Sequence, residues 1–174
     1  YAGFVNNGFY KIIGDPDNNK AILYEGGTLA ATLTSDGSVD NFGHGVGFIN
    51  TGHFVVGTDS SGKLFNYRQR GPNWTYSSST IPDNLPTAKF GTSVGIDVDT
   101  AVVGAPDYDG RGAAFIFLKD AGAETWSLQA RLEGEGLATG DAFGSAVAIS
   151  QGGVVVGAPE ANNGKGAAYV FERV

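Results

Sequence analysis

The sequence has no cysteine and no methionine. Without cysteine there is no disulfide, no zinc knuckle and no thiol nucleophile. The compartment stays open on that count, because a repeat protein with a good core can live outside the cell without disulfides. No initiator Met and no basic leader opens the sequence, so a processed product or an excised piece is expected. Charge is sparse, at 17% of residues, and the net charge is −7. The eleven Lys and Arg are scattered, so there is no positive face for phosphate and nucleic acid is not an expected partner. No run reaches 18 apolar residues, so membrane insertion is not expected either. There are two histidines, His44 and His53, each beside glycine and without the Ser or Asp pattern of a nucleophile relay. Structural or solvent-facing roles are expected for both.

Glycine is what the sequence has in excess, at 28 of 174 residues, together with 41% apolar residues. Many short strands joined by tight turns produce that balance. The strands recur in a pattern. Phe143-Gly-Ser-Ala-Val-Ala-Ile leads to Val154-Val-Val-Gly-Ala-Pro159, and Phe90-Gly-Thr-Ser-Val-Gly-Ile leads to Ala101-Val-Val-Gly-Ala-Pro106. Phe42-Gly-His-Gly-Val-Gly-Phe with Phe54-Val-Val-Gly-Thr58 is a worn copy. Gly14-Asp-Pro16 is the remnant of a first one. The closing glycines Gly14, Gly57, Gly104 and Gly157 lie 43, 47 and 53 residues apart. Each unit holds three or four apolar runs of strand length. A period in this range with four strands per unit is that of a β-propeller blade.

The fold expected is therefore all-β, a β-propeller of about four four-stranded blades. The blades span about residues 1–38, 39–86, 87–139 and 140–174 of a single domain. The last lacks its outer strand. The second run of each unit is the most uniformly apolar, as for a strand buried on both faces. The fourth run alternates at Trp126-Ser-Leu-Gln-Ala-Arg-Leu132, as for a half-exposed outer strand. Pro106 and Pro159 cannot donate to a ladder and end the second strand.

The order Phe-Gly-x-x-Val-x-Ile, Val-Val-Gly-Ala-Pro, Gly-Ala-Ala-Tyr-Val-Phe and a downstream Trp resembles the FG-GAP repeats of integrin α-subunit propellers. It is closest to the short, calcium-poor version of microbial surface proteins. The resemblance is strong over 87–174, weaker over 42–83, and in register over 1–38. It implies an extracellular or cell-surface module used for contact, by cell adhesion, ligand capture or glycan binding, and not an enzyme. That implication is analogy of fold.

The departures from the family matter. The first turn of the integrin-type repeat carries a calcium loop. Here that turn reads Asp97-Val-Asp-Thr100, Ser150-Gln-Gly-Gly153, Asn50-Thr-Gly-His53 and Asn6-Asn-Gly8, too poor in oxygen for a calcium ion. No cofactor is expected. Asp107 and Asp109, after the Gly-Ala-Pro of the third unit, could ligate one calcium weakly; turn formation is the competing explanation. Asn73-Trp-Thr75 is an N-glycosylation acceptor at the outer rim. Trp74 and Trp126 share a position, and packing explains them better than sugar stacking.

A sheet without its outer strand exposes the edge of its third. Gly166, Ala167, Ala168, Tyr169, Val170 and Phe171 would form that edge, open to a strand from another chain. The function expected is a structural or adhesive module that self-associates through blade edges, as a repeating subunit of a filament or surface layer. Its partners are other copies or neighbouring domains of a longer chain. A carbohydrate-binding, lectin-like propeller is the alternative. It needs equivalent aromatic-plus-Asp pockets in several units, and Asp107-Tyr108 has no counterpart at Glu160-Ala161.

Overall fold

The computed structural model describes residues 4–6, 9–35, 41–50, 53–59, 62–71, 73–77, 88–120 and 125–172. They form four antiparallel sheets. The first contains β1 (Phe4–Asn6), β2 (Tyr10–Asp15), β3 (Lys20–Glu25) and β4 (Thr28–Thr34). The second contains β5 (Phe42–Asn50), β6 (His53–Thr58), β7 (Leu64–Arg70) and β8 (Asn73–Ser77). The third contains β9 (Ser93–Asp97), β10 (Thr100–Ala105), β11 (Ala113–Lys119) and β12 (Trp126–Leu132). The fourth contains β13 (Ala146–Ser150), β14 (Gly153–Ala158) and β15 (Ala167–Glu172). Spatial order follows chain order in every sheet, so each is a meander. The fold is all-β and propeller-like, with sheets of four, four, four and three strands.

The core is divided among the gaps between sheets. Tyr10, Ile12 and Leu23 of the first sheet meet Phe42, Phe54 and Phe65 of the second. Val55 and Leu64 of the second meet Phe90, Val103 and Phe117 of the third. Val102 and Ala114 of the third meet Phe143, Val154 and Val156 of the fourth. The opening strands line up in sequence, β5 beside β2, β9 beside β5 and β13 beside β9. Among the described residues no comparable packing joins β13 to β1. The sheets form an open arc.

The arc explains a difference between the second strands. Every residue of β6 is buried, and so is nearly every residue of β10. β2 and β14 alternate instead. The two inner sheets have a neighbour on each face. Among the described residues the first and last have one, and every second side chain of β2 and β14 is only partly covered or exposed.

The repeated motif closes each gap through glycine. Gly43, Gly91 and Gly144, which follow the buried Phe42, Phe90 and Phe143, hold φ near +97° to +99° or +95°, a region that disfavours other residues. Their carbonyls lie against Gly14, Gly57 and Gly104 of the preceding sheet. A Cβ on any of those three would overlap the carbonyl oxygen it faces. Gly157 occupies the same place in the last sheet. A Cβ there would meet only Ala146 of its own sheet, its Cβ at 3.6 Å and its carbonyl oxygen at 3.8 Å.

One local expectation fails. Trp126 is buried, but Leu128 is 39% exposed and the alternation of β12 is lost. A β-bulge breaks the register between Ile116 and Phe117, so Ile116 faces Ala130 and Phe117 faces Leu128, with Gln129 left over. The extra residue shifts the phase of Ala130 to Leu132; Leu128 precedes it, and its exposure has no explanation in the register.

Candidate functional site

The free edge of β15 and the cleft beside it form the candidate site. β15 pairs with β14 from Ala167↔Ala158 to Glu172↔Gly153. Among the described residues no strand pairs with its other edge, whereas β3, β7 and β11 each carry a fourth strand. Tyr169 and Phe171 turn inward, with ring centroids 5.3 and 6.1 Å from that of Phe143. Val170, on the opposite face, is 69% exposed. Its cross-strand partner Val155 is 41% exposed. Val102 and Val55, at the place of Val155 in the preceding sheets, are 0% and 1% exposed. The predicted edge residues Gly166 to Phe171 thus lie together along the outermost described strand of the last sheet.

A cleft of about 830 Å³ opens between the third and fourth sheets. Ile116, Leu118, Val154 and Phe171 give it an apolar lining. Asp97, Asp99 and Glu172 place carboxylates around it. The Asp97 carboxylate also accepts a 2.6 Å hydrogen bond from the backbone N–H of Gln151, tying the first hairpin of the third sheet to that of the fourth.

The two other gaps are filled at the matching place. Trp74, from outer strand β8, packs edge-on to Tyr10 at 5.9 Å and against Phe54 at 4.8 Å. Trp126, from β12, is buried, and its indole N–H donates to Asn66 Oδ1 at 3.0 Å. Both tryptophans are packing residues, as expected. Register fixes the equivalence. Asn66 pairs with Val55, and Ile116 pairs with Val102, so Ile116 stands in the third sheet where Asn66 stands in the second.

The other predicted residues lie elsewhere. Asp107 forms an ion pair with Lys89 at 3.0 Å, and Asp109 lies 3.5 Å from Arg111. Each carboxylate faces a cation, and no group of three or more His, Cys, Asp or Glu able to hold a metal occurs among the described residues. Tyr108 between them has Arg131 over its ring at 5.3 Å and accepts a hydrogen bond from the same guanidinium at 2.9 Å. That phenol contact and Glu133, at 2.7 Å, hold the Arg131 pKa above its ordinary value. Asn73 opens β8 and is exposed.

Sequence reasoning missed one polar pair. His44 Nε2 lies 3.5 Å from Asp59 Oδ2, and His44 Nδ1 lies 3.2 Å from the Thr92 carbonyl oxygen. The His44 ring thus bridges the second and third sheets, one nitrogen toward each. His53 is buried, with Lys119 Nζ 3.4 Å from its Nδ1. The only sequence signal for the first pair was Asp59 following Gly57-Thr58 where the other units have proline.

Residues 80–117 and 126–171 match the family model of the FG-GAP repeat. Both stretches carry FG-GAP repeats. The second FG-GAP match takes in β12 of the third sheet and β13 to β15 of the fourth, so one unit of sequence spans two sheets. FG-GAP repeats are typical of extracellular and surface proteins. Among the described residues no helix is long and apolar enough to cross a membrane. The chain is similar in fold to the solved structure of U3-55K, with a TM-score of 0.63 at 11% identity. That likeness covers 94% of this chain and 52% of the other, so the chain spans about half the length of the structure it matches. No curated protein matches the chain.

Proposed function

We propose that the chain is a non-enzymatic extracellular structural or adhesive module that self-associates through the edges of its sheets, as a repeating subunit of a filament or surface layer. The observation that carries this reading is the edge of β15, unpaired among the described residues, with Val155 and Val170 exposed where their counterparts are covered. Gly166 to Phe171 form the interface segment. The opposite end of the arc offers a fitting partner. β4 pairs with β3 alone among the described residues, and its sequence Thr-Leu-Ala-Ala-Thr-Leu-Thr carries no charge. Edge strands are normally protected by charge or proline. Leu29 of β4 is 62% exposed. Contact of β15 with β4 of another copy joins two different surfaces, and such a contact builds a filament wherever its rotation does not close a ring.

The energetics favour weak pairing. Covering the exposed parts of Val155 and Val170 is equivalent to burying about one valine, about 1.5–3 kcal/mol. Each ladder hydrogen bond adds about 0.5–1.5 kcal/mol net. Loss of rigid-body freedom costs about 4–15 kcal/mol. Assembly therefore depends on high local concentration, as on a surface. The net charge of −7 opposes it, and salt screens that repulsion. Lack of catalysis is in keeping with the FG-GAP family, which is generally non-enzymatic. In an extracellular setting Asn73 carries an N-linked glycan when the source has the machinery.

Sedimentation velocity over a wide concentration range tests the reading. The mass should rise with concentration and with added salt, and Val170→Lys should hold the chain monomeric. A strict monomer under all these conditions would overturn it.

A further inference from the structure

We propose that the outer end of the gap between the second and third sheets binds a small monovalent anion of the chloride class, held by Asn66 and Lys119 beside His53 and Arg68. The site lies in a different gap from the edge of β15 and stands whether or not the chain self-associates.

A buried amide calls for the ligand. Asn66 is 1% exposed, and its Oδ1 accepts the Trp126 indole N–H at 3.0 Å. Its Nδ2 is buried with no hydrogen-bond partner among the described residues. Buried donors are satisfied as a rule, so an acceptor belongs beside it. The surroundings set the charge of that acceptor. Lys119 is the cross-strand partner of Trp126, and its Nζ lies 3.4 Å from Nδ1 of the buried His53. An ammonium only donates, so Nδ1 is the acceptor of that pair. His53 lies two residues before Val55, the cross-strand partner of Asn66, and shares its face of the sheet. The indole and the imidazole thus bring Lys119 and Asn66 to one place. A water held by both would need acceptors for its own protons, and Asn66 Oδ1 and His53 Nδ1 already take those of Trp126 and Lys119. An anion only accepts. Asp120, next to Lys119, takes the hydroxyls of Ser127 and Thr125 instead.

The first gap holds the same contacts in another chemistry. Counted from Gly14 and Gly57, Tyr10 stands where His53 stands, Leu23 where Asn66 stands and Glu25 where Arg68 stands. Counted from the tryptophans, Gln69 stands where Lys119 stands. In the first gap the Tyr10 hydroxyl lies 3.2 Å from Gln69 Oε1 and 3.2 Å from Glu25 Oε1. Leu23 has no polar atom to satisfy, so that gap is complete. In the second gap the carboxylate has become a guanidinium, the neutral amide an ammonium and the leucine an amide. Glu25 with Gln69 carries a charge of −1, and Arg68 with Lys119 carries +2. The third gap has Ile116 at the place of Asn66. Three departures at one end of one gap all add donors or positive charge, which is the chemistry of an anion site.

The test uses the whole chain at constant ionic strength, with sodium chloride exchanged for sodium gluconate, whose anion is much larger. The chloride NMR line should broaden in the presence of the folded chain and sharpen again when bromide competes. The melting temperature should be higher in chloride than in gluconate. Asn66→Asp keeps an acceptor for the indole and sets a carboxylate beside Lys119. Lys119→Gln restores the residue of the first gap. Each should abolish the excess line width and give equal melting temperatures in the two salts, while far-UV circular dichroism reports an intact fold. A wild-type line as narrow as that of free chloride, or melting temperatures that follow ionic strength alone, overturns the inference and leaves a water beside Asn66. Broadening that survives both substitutions places chloride elsewhere and overturns it as well. Sedimentation in the same two salts keeps this site separate from self-association. Chloride binding by a strictly monomeric chain overturns self-association alone, and self-association without chloride binding overturns the anion site alone.

Discussion

Gly104 and Gly157 are the same residue of the same motif, yet replacing each by alanine should have opposite effects. Neither has a positive φ, so alanine fits the backbone at both sites. In the unfolded chain the substitution restricts the backbone and stabilises the fold by about 0.4–1 kcal/mol. At Gly157 little opposes this, because the nearest neighbour of the new Cβ is Ala146 Cβ at 3.6 Å, an ordinary contact. At Gly104 the new Cβ overlaps the Gly144 carbonyl oxygen and lies 2.8 Å from its carbon. The third and fourth sheets must move apart. Overpacking of this kind costs about 1–3 kcal/mol. The same oxygen accepts the Ser93 hydroxyl at 2.8 Å, a bond worth about 0.5–1.5 kcal/mol that is lost with the shift. The net for Gly104→Ala is about 2–3 kcal/mol of destabilisation, a fall of about 5–10 °C in Tm for a domain of this size. Gly157→Ala should raise Tm by about 1–3 °C. Calorimetry at a concentration where the chain is monomeric compares them directly. Equal shifts would refute the idea that glycine is placed here to admit the next sheet's carbonyl.

Trp126→Phe removes the buried indole N–H bond to the Asn66 side-chain oxygen and should cost about 1–3 kcal/mol, measured by urea denaturation. Adding Asn66→Ile should recover part of that loss, because Ile116 is tolerated at the same register position. Asp120 accepts hydrogen bonds from the Ser127 and Thr125 hydroxyls, and these hold its pKa below the ordinary carboxylate value. With the folded pKa lower than the unfolded one, this contribution is present above the unfolded value and lost as pH falls through the folded one. Asp120→Asn should therefore lower stability at neutral pH, with the difference from wild type shrinking below about pH 4 in melts taken across pH. Chain secreted from a glycosylating host should carry a mass increment that a glycan-specific amidase removes and that Asn73→Gln abolishes.

Much of the fold was legible because its determinants are local. Phe-Gly and Gly-Ala-Pro mark where one sheet touches the next, and Phe90 to Gly104 and Phe143 to Gly157 repeat the same spacing. The run Ala101-Val-Val showed burial on both faces, and β10 sits between two sheets. Trp74 and Trp126 could be matched because both lie at the start of a fourth strand. What was not legible depends on partners distant in the chain. His44 and Asp59 are fifteen residues apart, and the third member of that arrangement, the Thr92 carbonyl, lies across a sheet gap. The partners of Asp107 and Asp109 follow from loop geometry, and Lys89 and Arg111 were not paired with them in advance. The exposed edge Gly166 to Phe171 was visible as a pattern. The cleft beside it was not, since its shape depends on which side chains fail to reach it.

The offset between repeat and sheet has a consequence for how such arrays change length. The FG-GAP unit at 126–171 finishes one sheet with β12 and begins another with β13 to β15. A duplicated unit would therefore never insert as a free-standing block. Its first strand would seal an old sheet while the rest laid down a new one with the same opening. Gain or loss of one unit keeps the same backbone junction, the carbonyl after Phe-Gly against a closing glycine, so an array of this kind can be lengthened or shortened without inventing a new mode of contact. Its diversity is then free to collect at the turns and at the terminal sheet, where no neighbour constrains the choice of side chain.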